Sequence, residues 1–507
     1  MKSNRFFASL RMTGKPLRMT VGVWALMMFA PLLQAQPLQL ARLFSDHMVL
    51  QRETTAPVWG WGAPGKTVTV EGSWSGAAVR TKVADDGSWR VSLPTGEAGG
   101  PYTLTVRCGK ETLTVADVAL GEVWVCSGQS NMEMPMRGFG FQEVEGFREN
   151  LLEAAEYAAR IRVFDVKTDT THFVQKDVTL RGNAEGWMLS SPDVYAETSA
   201  VAYLFAKRLT RSLGVPVGII VNAWGGSRIE PWMTMECVEN AGIPAEELAK
   251  IKELHEIAGL WPNGVATCWN GRVAPIAGYA AKGFLWYQGC SNINQTCYDK
   301  LQAAMVKLWR GAWGNDDMPF IYALLAPHDY GNADDFQRPA FVETQMNVQQ
   351  LVPNCYAVCL ETLGAKHTIH PSRKQEVADM MVLRALNSSY GVSVYMPVDY
   401  PTPRSVEYLA DGRVKILFTN VWSNLQSIEN REIKGFELAG EDREFHLADA
   451  EVDWDGQTVY VKCADVPQPV AVRYAYRNLM DTNLKTSYGI PAPPFRTDNW
   501  PLWDDQK

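Results

Sequence analysis

The sequence predicts an α/β protein in which a doubly wound parallel sheet forms the middle of three layers, with a β-sandwich region on either side of it along the chain. Three observations support this fold class. Five apolar runs alternate with helical patterns between about residues 117 and 391. Short alternating strands separated by turn residues precede and follow this segment. Strands that are apolar throughout are typical of a parallel sheet covered by helices on both faces.

The first 35 residues predict a secretory signal peptide. Residues 2–18 contain five basic residues and no acidic one, and an apolar run follows at 21–33. This run ends at Leu33-Gln34-Ala35, which resembles a small-residue cleavage site. A membrane span needs roughly 20 apolar residues, so the run is too short to be one. We therefore expect an exported protein, secreted or periplasmic, whose mature form has no membrane association.

Two flanking regions have the sequence pattern expected of β-sandwiches. Residues 36–116 and 392–507 contain short alternating runs, cut by turn signals such as Asp411-Gly412 and Asp455-Gly456. The predicted strands are 58–61, 67–70, 89–93 and 102–106 in the first region, and 414–418, 434–438, 450–452, 459–461 and 470–474 in the second.

The central domain is predicted to span residues 117–391. Its five expected strands are 122–126, 215–221, 283–287, 320–326 and 356–360. Helices are expected at 199–213, 298–309 and 341–351, because apolar residues recur there at helical spacing. Gly214 follows the first of these helices as a C-cap signal.

Charge and cysteine content exclude some classes of function. The 507 residues carry a net charge of −8, which becomes −13 once residues 1–35 and their five basic residues are removed. No basic surface for nucleic acid is therefore expected. The nine cysteines are an odd number, so at least one must lack an intramolecular disulfide partner. Their spacing resembles no zinc site, and we expect neither a metal nor a cofactor. The sequence does not indicate the oligomeric state.

Polar residues follow several of the predicted central strands, at the point where each strand ends. Ser130 follows the first strand, Gly225-Gly226 the second, Asn292 the third, and His370 a loop after the fifth. Because ligands of a doubly wound sheet bind beyond the carboxyl ends of its strands, these residues are expected to lie close together. A serine, a histidine and hydrogen-bond donors for an oxyanion are the groups that acyl transfer requires.

Several segments resemble the sialate O-acetylesterases, a family in the SGNH (GDSL-like) hydrolase superfamily. The central segments are GEVWVCSGQSNM at 121–132, WGGSRIEPW at 224–232, WNG at 269–271 with AP at 274–275, GFLWYQG at 283–289 with SN at 291–292, and IHP at 369–371 with KQEV at 374–377. LFSDHMVLQR at 43–52 and VAVRYA at 470–475 are also similar to family sequence. The resemblance covers about residues 40–500 and implies a flavodoxin-like SGNH hydrolase domain.

The resemblance also implies roles for individual residues. Ser130 corresponds to the nucleophile and His370 to the general base. The backbone N–H groups of Ser130 and Gly226, with the side-chain amide of Asn292, correspond to the oxyanion hole. The sequence alone leaves open which of Gly225 and Gly226 turns its N–H toward the site. Further candidates for contact with the substrate are Gln129, Gln288, Arg228 and His367.

Two departures from the family pattern affect the site. Many relatives carry Glu where this chain has Cys290, and an Asp often stands two or three residues before the histidine, where this chain has Thr368 and His367. Another carboxylate must then orient His370, unless the serine and histidine act as a dyad. Glu361, at the end of the fifth predicted strand, is the candidate third member of a triad.

The sequence therefore predicts an exported esterase that removes O-acetyl groups from a carbohydrate through a serine acyl-enzyme, with an O-acetylated carbohydrate as its partner. The resemblance favours O-acetylated sialic acid as substrate. Acetylated xylan or another glycan remains an alternative, as does a lipase or thioesterase of the same superfamily. A further alternative is a carbohydrate-binding protein whose catalysis is weakened by the changes at Cys290 and Thr368.

Overall fold

The computed structural model describes residues 36–167, 169–182, 184–258, 262–428 and 432–502. The predicted signal peptide, residues 1–35, lies outside these ranges. Within them, no helix is both long enough and apolar enough to cross a membrane.

The N-terminal region consists of eight strands in two sheets. They are β1 (Gln39–Leu40), β2 (Val49–Gln51), β3 (Thr55–Trp61), β4 (Thr67–Gly72), β5 (Ala78–Lys82), β6 (Ser88–Pro94), β7 (Gly99–Cys108) and β8 (Glu111–Gly128). One sheet has the order β1-β3-β6, and in the other β4 pairs with β5 and β7 while β7 pairs with β8. The four strands predicted from alternation lie within β3, β4, β6 and β7.

Strand β8 connects the N-terminal region to the central sheet without interruption. Its first half pairs with β7 in antiparallel fashion, and its second half pairs in parallel with central strands. The boundary predicted at residues 116/117 falls inside this 18-residue strand. The first strand of the central sheet is therefore held at both ends.

Among the residues that the structure describes, the central sheet has six parallel strands, one more than the five predicted. Besides β8 they are β9 (Ile161–Asp165), β11 (Val217–Ala223), β12 (Gly283–Tyr287), β13 (Phe320–Ala323) and β14 (Cys355–Val358), while the short β10 (Met188–Leu189) pairs antiparallel at the edge. The strand order is β10-β9-β11-β8-β12-β13-β14. Strand β9 was not predicted because the charged residues Arg162 and Asp165 interrupt its apolar run, although both are buried.

Helices pack against both faces of this sheet. They are α1 (Ser130–Glu133), α2 (Phe147–Glu153), α3 (Pro192–Glu197), α4 (Ala200–Leu213), α5 (Met235–Glu239), α6 (Ala245–Ala258), α7 (Tyr298–Trp313), α8 (Gln337–Leu351) and α9 (Lys374–Tyr390). Trp124 and Cys126 of β8 share a core with α4 and α9, whereas Val123 and Val125 share the opposite core with α7 and α8. This alternation is expected of a strand whose successive side chains point to opposite faces.

The C-terminal region forms a seven-stranded antiparallel sheet and a two-stranded one. Its strands are β15 (Thr402–Tyr408), β16 (Val414–Thr419), β17 (Leu425–Gln426), β18 (Ile433–Ala439), β19 (His446–Val452), β20 (Thr458–Lys462), β21 (Ala471–Tyr474), β22 (Lys485–Thr486) and β23 (Phe495–Arg496). The larger sheet has the order β15-β16-β20-β19-β18-β21-β23, and β17 pairs with β22. The C-terminal region has a hydrophobic core of its own.

Many of the aromatic residues serve packing. Trp232, Trp286 and Trp309 are fully buried and contact one another between the central sheet and α7. Phe141 and Trp454, in contrast, are almost completely exposed. Each of the nine cysteines lies within the described residues and is a free thiol.

Candidate active site

Ser130 lies on a tight turn between the central strand and the short first helix. Strand β8 ends at Gly128, and α1 begins at Ser130. Because β11 and β12 flank β8, this turn lies in the middle of the carboxyl edge of the parallel sheet. Ser130 is largely buried, with 9% of the residue exposed.

His370 contacts Ser130 from the segment before α9. Its Nε2 lies 2.7 Å from Ser130 Oγ. Two hydrogen bonds hold the peptide group that precedes the histidine: the backbone N–H of His370 donates to Thr368 Oγ1 at 3.0 Å, and Asn131 Nδ2 donates to the Ile369 carbonyl at 2.9 Å. The structure thus brings the predicted nucleophile and base within hydrogen-bond distance.

The other ring nitrogen of His370 contacts an amide rather than a carboxylate. His370 Nδ1 lies 2.6 Å from Gln142 Oε1, and the Phe139 ring packs edge-on against the imidazole with centroids 5.5 Å apart. An amide oxygen is only an acceptor, so Nδ1 carries the proton in this arrangement. The lone pair of Nε2 then faces the Ser130 hydroxyl, as a general base requires.

The prediction that Glu361 orients His370 is corrected by the structure. The Glu361 carboxylate is buried and forms an ion pair with both terminal nitrogens of Arg338, which is also buried. The Thr482 hydroxyl donates to the same carboxylate at 3.4 Å. A buried guanidinium needs a counter-charge, and Glu361 supplies it in this position.

A buried lysine lies beside the pair. Lys374 Nζ donates to Asn131 Oδ1 at 2.5 Å and lies 5.6 Å from the centroid of the Tyr287 ring, with the whole residue inaccessible to solvent. Burial lowers the pKa of Lys374 to about 7. Burial, followed by the charge of Lys374 and a contribution from His328, lowers the pKa of His370 to about 4. The imidazole is therefore neutral at ordinary pH.

The glycine pair after β11 lies directly against Ser130. A Cβ on Gly225 would lie 3.3 Å from Ser130 Cβ and 3.0 Å from Glu133 Oε2, so a side chain here would push both neighbours away by a few tenths of an ångström. The Gly225 N–H donates to Glu133 Oε2 at 2.5 Å, and Arg181 donates to the other oxygen of Glu133 at 2.8 Å. Since Gly225 uses its N–H in this way, Gly226 is the candidate oxyanion donor on this loop.

The side chain of Asn292 is committed to a buried network, contrary to its predicted role as an oxyanion donor. Its Oδ1 accepts from the Ile229 N–H at 3.1 Å, which fixes the orientation of the amide. Its Nδ2 then donates to Glu230 Oε2 at 3.2 Å and to Gln295 Oε1 at 2.6 Å. Asn292 is 1% exposed, so the structure uses it to support the loop.

The four predicted substrate contacts fall into two groups. Gln129 and Gln288 are buried and bound to neighbours: Gln129 Oε1 accepts from the Gly289 N–H at 2.7 Å, and Gln288 Oε1 accepts from the Tyr298 hydroxyl. Arg228 is partly accessible, although Glu230 and the Ser291 carbonyl bind its guanidinium. His367 is exposed. Only the second group is accessible to a substrate.

The two departures from the expected motif have visible consequences. At the position where a glutamate was expected, the Cys290 sulfur accepts from the Tyr330 hydroxyl at 3.5 Å, and burial raises the pKa of the thiol. Thr368 supports the backbone of His370, as described above. Within the described ranges, no group of three or more His, Cys, Asp or Glu is arranged to hold a metal ion.

Sequence reasoning did not assign roles to Gln142, Glu133 or Lys374. Glu133 lies one helical turn after Ser130 in α1, so its spacing was available as a signal. Lys374 is the first residue of α9, four residues after His370 in the chain, and a lysine at a helix start carries no such signal. The sequence around Gln142 gives no such signal. Gln142 lies in a glycine-rich loop, and the residue expected beside a catalytic histidine is an acid, whereas its side chain is an amide.

The chain is similar to known carbohydrate esterases over most of its length. The family profile described as "Carbohydrate esterase, sialic acid-specific acetylesterase" matches residues 120–381. Sialate O-acetylesterase from Mus musculus is 27% identical, over 90% of this chain and 94% of its own, and that from Homo sapiens is 28% identical, over 79% and 80%. The solved structure of a carbohydrate acetylesterase from Xanthomonas citri has a TM-score of 0.80 and 31% identity, covering 91% of this chain and 100% of that chain.

Proposed function

Since this chain belongs to the carbohydrate esterase family of sialic acid-specific acetylesterases, and is accordingly an esterase, we propose that it hydrolyses O-acetyl esters of carbohydrates with Ser130 as nucleophile and His370 as general base. The observation that carries this proposal is the 2.7 Å contact between Ser130 Oγ and His370 Nε2. A serine hydroxyl is a weak nucleophile at its ordinary pKa and needs a base at this distance.

The proposed reaction begins with His370 protonated at Nδ1 and with the lone pair of Nε2 facing the Ser130 hydroxyl. Ser130 Oγ attacks the acetyl carbonyl carbon while its proton passes to His370 Nε2, and the carbonyl oxygen becomes an oxyanion. The protonated imidazole then gives that proton to the departing sugar hydroxyl, which leaves an acetyl-serine. Water attacks the acetyl-serine with His370 again as base, and acetate leaves as Ser130 recovers its proton.

The oxyanion donors proposed here are the backbone N–H groups of Ser130 and Gly226. The loop geometry supports this assignment, because Gly225 lies against Ser130 while Glu133 holds its N–H. One such donor contributes about 3–4 kcal/mol to stabilising the transition state. The side-chain amide of Asn292 is left out of this assignment because Glu230 and Gln295 already bind it.

The proposed substrate is an O-acetylated sialic acid, by analogy with the relatives named above. A cavity of about 300 Å³ beside the glycine loop has room for a sugar. Its lining combines charged and polar side chains, among them Arg228, Lys250 and Ser291, with the aliphatic Ile251 and Leu254, and the Ser291 hydroxyl donates to the Gly226 carbonyl. Charged and amide groups suit the hydroxyls of a sugar better than a hydrocarbon tail.

The geometry favours an active enzyme over a binding protein with weakened catalysis. Cys290 and Thr368 replace two acidic residues of the family pattern, but the contact between serine and histidine persists, and an acceptor still faces His370 Nδ1. We further propose that the central domain is an SGNH hydrolase of flavodoxin-like order, that the flanking regions are β-sandwiches, and that residues 1–35 direct export.

Acetate release by residues 36–507 tests the proposed function. The wild type should hydrolyse a chromogenic acetate ester, and Ser130→Ala should lower kcat by about 10⁴-fold or more. Ser388→Ala on α9, where the hydroxyl donates to the Arg384 carbonyl, is a matched control that should retain full activity. Equal rates for the wild type and Ser130→Ala would exclude the serine mechanism.

Natural esters then identify the substrate. Faster acetate release from O-acetylated sialoglycan than from acetylated xylan supports the sialate assignment, and the reverse order rejects it in favour of a plant glycan. Faster turnover of an octanoyl ester than of the acetyl ester would contradict an acetylesterase altogether.

A further inference from the structure

The loop formed by residues 137–146 contains the group that faces the second nitrogen of His370. The N–H and C=O groups of Phe139 and Gln142 bond to each other at 2.9 and 2.7 Å, closing a tight turn. Gly138 has a φ of +79°, and a Cβ there would lie 2.0 Å from the Gln142 carbonyl oxygen. The turn thus holds Gln142 in a fixed position.

The same loop is attached to the segment that carries the histidine. The Glu145 N–H donates to the Ser372 carbonyl at 3.0 Å, and the Ser372 hydroxyl donates to Glu145 Oε1 at 2.7 Å. Phe139 packs on the imidazole ring. The loop and the histidine segment therefore form one unit, and Gln142 Oε1 lies 2.6 Å from His370 Nδ1 within it.

We propose that Gln142 is the positioning residue of the general base, and that its neutral amide takes the place of a carboxylate in a Ser130–His370–Gln142 arrangement. This inference rests on the proposed function. The amide oxygen accepts the Nδ1 proton of His370 and so selects the tautomer that leaves Nε2 free to accept from Ser130. It orients the ring in the same way as a carboxylate, but it supplies no negative charge.

The charges around His370 make this difference measurable. Lys374 on the same segment and His328 from the loop after β13 both disfavour a proton on the ring. Three carboxylates in this part of the fold have other partners: Glu361 pairs with Arg338, Glu145 accepts from Ser372, and Glu133 accepts from Gly225 and Arg181. A carboxylate at position 142 would therefore be a new charge that directly faces the ring.

The test is the substitution Gln142→Glu. A carboxylate within hydrogen-bond distance raises the pKa of a histidine, typically by about 1–3 units. The acid limb of kcat/KM, which reports the free enzyme's base, should lie near pH 4 in the wild type and move up by that amount in the variant. Glu143→Gln, which changes the charge of the same loop by one at an exposed residue, should leave the limb in place.

A second measurement does not depend on turnover. The measurement is an NMR titration of protein labelled at histidine Cε1 and at the ring nitrogens. The signal of His370 is assigned by its loss in His370→Asn. The wild type should show the Nδ1–H tautomer of His370. The Gln142→Glu variant should titrate about 1–3 units higher. Gln142→Ala should lower kcat at least tenfold while KM changes less than twofold, since it removes the support of the base and no contact with substrate.

These measurements separate the two proposals. An acid limb and an NMR titration that stay where they are in Gln142→Glu would refute the role of Gln142, even if the wild type is a good esterase. Loss of the proposed function would appear instead as a wild type with no hydrolysis beyond that of Ser130→Ala. The NMR titration still decides the role of Gln142 in that case.

Discussion

Replacing the buried Lys374 by Met should make the stability of the protein less dependent on pH. Lys374 is fully buried, and burial lowers its pKa from the ordinary 10.5 to about 7. Below pH 7 the folded protein must hold a buried charge, whereas the unfolded chain holds the same charge in water. This destabilising contribution is complete below about pH 7 and disappears as the pH rises toward 10.5. The wild type should therefore gain stability across that range, and Lys374→Met should not share this gain.

The expected magnitude follows from the two pKa values. Each pKa unit corresponds to about 1.36 kcal/mol, and in this window the unfolded state binds the extra proton. Between pH 7.5 and 9.5 the wild type should gain about 2–3 kcal/mol in unfolding free energy relative to the variant. The lost hydrogen bond to Asn131 contributes about equally at both pH values, so it largely cancels in this comparison.

Equilibrium unfolding in urea at the two pH values provides the measurement. Intrinsic tryptophan fluorescence gives the signal, and the buried cluster of Trp232, Trp286 and Trp309 in the central domain contributes to it. Lys307→Met, on the exposed side of α7, is a control that should leave the difference between the two pH values unchanged. Parallel stability profiles for the wild type and Lys374→Met would refute the argument that Lys374 carries a buried, destabilised charge.

Two further substitutions test the remaining assignments. Glu361→Gln should lower the unfolding free energy by about 3 kcal/mol or more, because Arg338 remains buried without a counter-charge, while kcat and the acid limb of the folded enzyme stay unchanged. A shift of the acid limb of kcat/KM in that variant would show instead that Glu361 acts on His370. Glu133→Ala should lower kcat by up to about 10²–10³-fold with little change in KM, since the Gly225 loop loses its anchor beside the oxyanion. Steady-state kinetics on the acetate ester measure both effects, and a Glu133→Ala enzyme with normal kcat would contradict this role for the loop.

Much of the central domain was accessible from local sequence. The five strands predicted there overlap observed strands because parallel strands buried on both faces are typically apolar runs. Ser130, Gly226 and the loop before α9 could be placed at one edge because parallel strands end at the same side of the sheet. Strand β9 was missed because its charged residues are compensated by distant parts of the chain: Arg162 donates to groups of Asp117, and Asp165 lies 3.5 Å from Arg181.

The partner of each polar group could be read only from the tertiary structure. Glu361 is close to His370 in sequence and has the expected chemistry, yet Arg338 binds its carboxylate. Gln142 lies 228 residues away from His370 along the chain, and its amide faces the imidazole. The spacing of apolar residues predicts which side chains are buried, because the tendency of a side chain to be buried depends on its own polarity. A hydrogen bond depends on two groups at once, so the orienting group of the base became visible only when the folded chain brought the two together.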